Sequence, residues 1–165
     1  MNKATFTERL KEGKVTWKLD KFKSVEDFQK GKTFEHNEFE GNVMLNEGIN
    51  ELWTILCSAG GTEFDNSNAY LGVGTSDDSE DATHTGLQAN SVYKAMEAGF
   101  PTYGTSQKAT WKASFGAAEA NQAWNEFTVA NGNSNSDKNL NRKVSAQGIK
   151  TSGQVWELSL EITLS

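Results

Sequence analysis

The sequence predicts a mainly β fold: an antiparallel β-sandwich or flattened barrel, with one amphipathic helix (about 46–59) packed on it and an N-terminal arm. Three observations lead there. In residues 155–164, Trp156, Leu158, Leu160, Ile162 and Leu164 are apolar, with Glu157, Ser159, Glu161 and Thr163 between them. That period of two is the pattern of a strand with one buried and one wet face. Residues 108–115 repeat it, with Ala109, Trp111, Ala113 and Phe115 on one face and Lys108, Thr110, Lys112 and Ser114 on the other. Finally, fifteen glycines, a single proline and a mean hydropathy of −0.63 suit a turn-rich β domain better than a helical bundle. A chain of 165 residues is one domain's worth and buries a core without metal or disulfide staples.

Residues 1–41 form the expected arm, and 42–165 the sandwich. The arm mixes lysines and acids with Phe6, Trp17, Phe22, Phe28, Phe34 and Phe39. Disordered segments are poor in aromatics, so these rings are expected to pack, either on this domain or on a neighbouring molecule. Within the arm, 15–19 alternates as a strand, and Ser24 to Gly31 reads as a short capped helix. In the main helix Asn46 is the expected cap, and Ile49, Leu52, Trp53, Leu56 and Cys57 form an apolar stripe expected to cover a sheet. Gly60 and Gly61 end it. A strand follows, with Ala69, Leu71 and Val73 on one face, then a polar acidic loop to about Thr85, a weaker strand over 91–96 and a break at 99–104. Beyond 108–115, a strand over 124–130 is expected to place Phe127 and Val129 on one face and Trp124 on the other. The loop 131–137, a strand over 142–149 and the last strand complete six to eight strands.

Several partners and chemistries are not expected. A net charge of −6 and a pI near 5.0 argue against nucleic acid. No apolar run approaches the ~20 residues that span a bilayer, and the N-terminus has no secretory apolar region, so neither membrane nor export is expected. Lone Cys57 excludes an internal disulfide or a cysteine zinc cluster and is placed in the core. His36 and His84 have no second ligand at a useful spacing. Gly72-Val73-Gly74-Thr75 looks like a phosphate loop, yet no Lys-Ser/Thr follows, and Asp77, Asp78, Glu80 and Asp81 would repel an anion. The same acids lack the order of a calcium loop and read as solvated. Ser-His-Asp chemistry would need His36 or His84 as its base, and neither has a supporting motif. Glu119, Glu126, Glu157 and Glu161 read as solvated strand or loop carboxylates rather than a glycosidase pair. No active site and no cofactor are expected. Tyr103 and Trp124 keep a glycan-binding surface open.

Several short motifs stand in an order shared with known proteins. Asn42-Val43-Met44-Leu45-Asn46-Glu47-Gly48 precedes the helix, and Tyr70-Leu71-Gly72-Val73-Gly74-Thr75 leads into small acidic residues and Thr85-Gly86-Leu87. Phe115-Gly116-Ala117-Ala118-Glu119-Ala120-Asn121, Trp124-Asn125-Glu126, Leu140-Asn141-Arg142 and Lys150-Thr151 follow. Over 42–165 this order resembles a family of small tailed-bacteriophage virion proteins, whose members serve as capsid decoration (cement) proteins, head fibres or tail-fibre and tail-tip components. Two departures are Phe127-Thr128-Val129, where a glycine and leucine are common, and the first forty residues, which have no counterpart.

The resemblance implies a virion protein without catalysis. The lack of a shaft, collagen-like or coiled-coil repeat favours a decoration protein on the outer capsid surface, made in the host cytoplasm and clamping joints between major capsid subunits. Trp17, Phe22, Phe28, Phe34 and Phe39 are the expected anchors to the capsid or to a neighbouring copy. Assembly with other copies of itself, as a trimer, is implied by the resemblance alone. The alternatives are a tail-tip or tail-fibre component, or a glycan-binding module on the virion surface.

Overall fold

The computed structural model describes residues 13–58 and 60–164, and its strands form two antiparallel sheets of five. The first sheet is ordered β2 (Glu35–Glu40), β1 (Lys14–Phe22), β10 (Val155–Thr163), β7 (Lys108–Phe115), β6 (Thr102–Thr105). The second is ordered β3 (Val43–Met44), β9 (Asn141–Val144), β8 (Glu126–Ala130), β4 (Tyr70–Gly74), β5 (Val92–Ala95). Two helices interrupt them, α1 (Val25–Gln29) and α2 (Asn46–Cys57). The fold is a β-sandwich with a helix.

Alternation builds the core as expected. Trp17 and Leu19 of β1, Ala113 and Phe115 of β7, and Leu158 and Leu160 of β10 meet Leu71 and Val73 of β4 and Phe127 and Val129 of β8 in one buried cluster. Rings fill its centre. Trp124 meets Phe115 and Trp156 edge-on with centroids 4.8 and 4.9 Å apart, and Trp17 stacks on Phe39 at 6.1 Å. Such contacts add to the transfer of apolar area out of water.

The expected arm is part of this sheet over its described length. β1 is the second strand of its sheet and pairs with β10 from Lys14↔Thr163 to Phe22↔Val155. A boundary at 41/42 therefore cuts through one sheet and does not separate two units, and removing 1–41 would remove β1 and β2. Phe6 lies outside the described residues. The α1 turn forms as read, with the Ser24 hydroxyl accepting from Asp27 N–H and Gly31 in the left-handed region at φ +66°.

Two other expectations are corrected. The stretch 99–104, read as a break, contains β6, which hairpins onto β7 through Ser106 and Gln107 at φ +54° and +52°. Those two residues take a conformation usually given to Asn or Gly, so no turn signal announces the strand. Trp124 is not on a wet face either. β8 begins only at Glu126, and Trp124 lies wholly in the core. The opposite face of β8 is not wet: Glu126 and Thr128 are fully buried there, because Ser76, Gln88 and Ala89 of the loop after β4 close over Glu126 with their N–H groups.

Candidate functional site

The helix α2 runs where expected but faces elsewhere. Its cap is Leu45, with no side-chain hydrogen bond, instead of Asn46. It docks through Glu47, Gly48 and Glu51. Glu47 Oε1 accepts from Asn139 N–H at 3.0 Å, and Glu51 Oε1 accepts from Thr62 N–H at 2.7 Å and Asn131 Nδ2 at 3.1 Å. Between them Gly48 lies so close to the chain at Leu140 that a Cβ would stand 2.4 Å from its Cα. Leu52 and Ile55 complete the docked side, half-buried against the core.

At about 100° per residue, the stripe Ile49, Trp53 and Leu56 then points roughly a third of a turn away from the docked face. These side chains are 37%, 61% and 74% exposed, and Cys57 is exposed beside them. The stripe was expected to cover a sheet and Cys57 to sit in the core; Leu52 does pack against the core, whereas Ile49, Trp53, Leu56 and Cys57 face solvent. The clamped helix thus presents a tryptophan, a leucine and an isoleucine outward.

The expected anchors fare differently. Trp17 is fully buried and Phe22 nearly so. Phe39 is half-buried in the core beside Trp17 and Phe127, and Phe28 meets Phe22 edge-on at 5.1 Å under α1. Their partners are within this domain. Phe34, 41% exposed with the Lys23 ammonium 5.8 Å from its ring centre, alone of the five faces outward. Trp17 and Phe22 of β1 and Phe39 of β2 belong to the sheet, and the exposed apolar stripe of α2 was not singled out from the sequence.

Among the carboxylates and glycines read as candidate chemistry, Glu126, Gly72 and Gly74 are buried in structural contacts. Arg142 and Glu126, both fully buried, pair at 2.8 Å. Arg142 Nη1 also donates to the carbonyls of Asp78 and Ser79 at 3.0 and 3.2 Å. This buried pair pins the acidic loop to the sheet. Glu126, expected to be solvated, is buried beneath that loop. Gly74 has no room for a side chain, since a Cβ would meet Glu126 Oε1 at 2.4 Å, and Gly72 is crowded by Tyr93 and Thr128. The glycines of Gly72-Val73-Gly74 thus serve close packing. In the acidic loop, Glu80 accepts from Val144 N–H at 2.6 Å, and hydrogen bonds from Thr83 hold the Asp81 carboxyl below the usual range. Among the described residues no three acidic, histidine or cysteine side chains converge on a common metal position. His36 lies 2.7 Å from Asp20 and near Glu38, and the hydrogen bond to Asp20 above all raises its pKa.

A second knot joins two more of the sequence motifs. Lys150, 1% exposed, donates from Nζ to the Gly116 carbonyl at 2.7 Å and to Asn121 Oδ1 at 2.9 Å. Glu119 accepts from Gly116 N–H at 2.7 Å and from Lys94 at 2.7 Å, a bond that lowers its pKa. Burial brings the Lys150 ammonium down from 10.5 to about 8, against the attraction of Glu119. Between those two pH values the unfolded chain holds a proton that the folded chain has released, so folding stability rises with pH there. Urea midpoints of the wild type should climb between pH 8 and pH 10 relative to Lys150→Met; parallel profiles would exclude the linkage.

Two concavities lie at the end of the sandwich near α2. The larger, about 590 Å³, is walled by Gly13, Val15, Met44, Leu52, Phe64 and Ile162 among others. The smaller, about 300 Å³, shares Phe64, Ala109 and Trp111 with it and is edged by Tyr103, Pro101, Glu63 and Asp65. Tyr103 is 76% exposed, whereas Trp124, the other ring considered for stacking on a sugar, is inaccessible. No helix among the described residues is long and apolar enough to cross a membrane. Set against known proteins, the chain matches no family model, no curated protein and no solved structure.

Proposed function

We propose that this protein is a non-catalytic virion component, a capsid decoration protein that binds the outer surface of the major capsid protein and stabilises joints between its subunits. One observation carries the reading: the outward stripe Ile49, Trp53 and Leu56 on a helix held by Glu47, Gly48 and Glu51. A large apolar stripe in water is unfavourable, and tryptophan is the residue most enriched among interface anchors. The motif order described above supplies the phage context. With the arm aromatics mostly internal, the capsid-binding role passes from them to α2, with Phe34 as a further contact. Self-association into a trimer belongs to the same proposal.

Trp53→Ser/Leu56→Ser should fold normally, because both side chains are already in solvent. It should bind capsids stripped of this protein about thirty-fold more weakly, the loss expected of one strong anchor at ~2 kcal/mol. Undiminished binding would reject the role of α2. Hundreds of copies per particle fit decoration, whereas a handful would move the protein to the tail tip or a tail fibre. Tyr103 beside Glu63 and Asp65 favours one second reading, a glycan-binding module on the virion surface: an aromatic face with nearby acceptors suits a sugar ring. Glycan binding that disappears in Tyr103→Ala would select it.

A further inference from the structure

Among the described residues, Lys150 is a buried amine with no carboxylate in contact to hold it. It is 1% exposed, and its Nζ donates to two neutral oxygens, the Gly116 carbonyl at 2.7 Å and Asn121 Oδ1 at 2.9 Å. An ammonium kept from water without an ion pair is costly. Burial accordingly brings its pKa down to about 8, so in mild alkali much of the folded protein carries the free amine, which is the nucleophilic form.

The group beside it is an electrophile. A carbonyl bond is about 1.23 Å long, so Nζ stands at most about 4.1 Å from Asn121 Cγ. A near-attack geometry needs roughly 3–3.5 Å. The terminal torsion of an asparagine is soft, and turning it brings the face of the carbonyl toward the amine. Asn121 is exposed, and its Nδ2 donates to the Ala117 carbonyl at 3.1 Å. The nitrogen that has to leave is thus on the wet side of the turn, while the attacking nitrogen comes from inside.

Both partners are held by backbone contacts. Lys150 N–H donates to the Gln122 carbonyl at 2.9 Å, and Glu119 Oε2 fixes the turn by accepting from Gly116 N–H at 2.7 Å. Fixing an amine against a carboxamide is worth an effective molarity of about 10⁵–10⁸ M, which is what an otherwise unreactive amide requires.

We propose that Lys150 and Asn121 become joined by an amide bond that the protein makes itself, an isopeptide cross-link between the segment before β10 and the turn after β7. The amine of Lys150 adds to Asn121 Cγ and forms the Nζ–Cγ bond. One proton passes from Nζ to Nδ2 through the solvent at the exposed asparagine, the Cγ–Nδ2 bond breaks, and ammonia leaves. Nothing is oxidised or reduced, and no co-reactant enters. Newly made protein holds the free amine whose titration is described above, and the link accumulates as the protein ages. The reaction belongs to the isolated chain and is independent of capsid binding.

The test is mass spectrometry of the purified chain held at pH 7 and at pH 9. The intact mass should fall by that of one ammonia. Trypsin does not cut after an acylated lysine, so its digest should contain a branched peptide joining residues 113–138 to 144–165. The rate should rise about tenfold between the two pH values and level off above them, following the free amine. No branched peptide after prolonged holding at pH 9 would overturn the proposal. Loss of ammonia without the branched peptide would overturn it too, being the mark of a succinimide at an asparagine. Asn121→Ala should fold, since that side chain is exposed, and should give no branched peptide. A lysine-branched product in this variant would place the bond elsewhere and reject the assignment.

Discussion

Arg142→Met should destabilise the fold by about 3–5 kcal/mol, the cost of stranding one member of a buried ion pair. Glu126 would remain fully buried, still accepting from Gln88 N–H at 2.9 Å, but without the guanidinium that neutralises it. The carbonyls of Asp78 and Ser79 would lose their donor as well, so the acidic loop should loosen along with the sheet it covers. The companion Glu126→Gln/Arg142→Met separates charge from shape. Glutamine keeps an oxygen for the N–H groups of Gln88 and Ala89 while removing the buried charge, so part of the lost stability should return. Urea unfolding followed by tryptophan fluorescence measures both. A loss below about 1 kcal/mol for Arg142→Met would mean that the pair adds nothing beyond what packing supplies.

Gly48→Ala should cost about 3 kcal/mol, the upper part of the range for overpacking. Most added methyl groups push against side chains that can turn away. Here the obstacles are backbone atoms, the Cα and carbonyl of Leu140 at 2.4 and 2.7 Å and the carbonyl of Asn139 at 2.6 Å. Relief requires α2 to lift, and lifting weakens the Glu47 and Glu51 hydrogen bonds on either side. Alanine is the better helix former, by up to about 1 kcal/mol, so a destabilised variant would show contact overriding propensity. Gly60→Ala is the control, because the nearest atom to a Cβ there is Ser58 Oγ at 3.7 Å, an ordinary van der Waals distance. Equal urea midpoints for Gly48→Ala and the wild type would show that the helix is not held by this contact.

The two substitutions also mark where sequence reasoning succeeds. A period of two needs only a buried and a wet side, and β7 and β10 have both, so their inward residues are legible one by one. The same logic fails for β8, because Glu126 faces a loop contributed from residues 75–90 and Thr128 bonds Asn139 and Asn141, and alternation cannot show that such segments close over a sheet. β6 escapes because its turn uses Ser106 and Gln107 in place of the usual glycine or asparagine. For α2 the period of 3.6 gives the helix and its approximate limits correctly, yet of the apolar stripe only Leu52 is on the docked side. Docking is decided by one glycine and two carboxylates that find backbone N–H groups, and a hydrophobic pattern weighs none of these. A glycine within an otherwise good helix was the available signal, since such a residue costs stability unless something approaches closely. The motifs carrying the resemblance were visible as an order of residues. Their reason, two buried polar knots around Arg142 and Lys150, depends on segments far apart in sequence.

The pairing of β1 with β10 also governs when the molecule can mature on the ribosome. Trp17 and Leu19 are made about 140 residues before their neighbours Leu160 and Leu158. Until then the nascent polypeptide carries an unmatched strand edge bearing large hydrophobic groups, a liability for aggregation. Joining β1 to β10 is the slow, long-loop kind of closure. Synthesis should therefore yield little native product before β10 has cleared the exit tunnel, and chains stalled short of it should be substrates for chaperones.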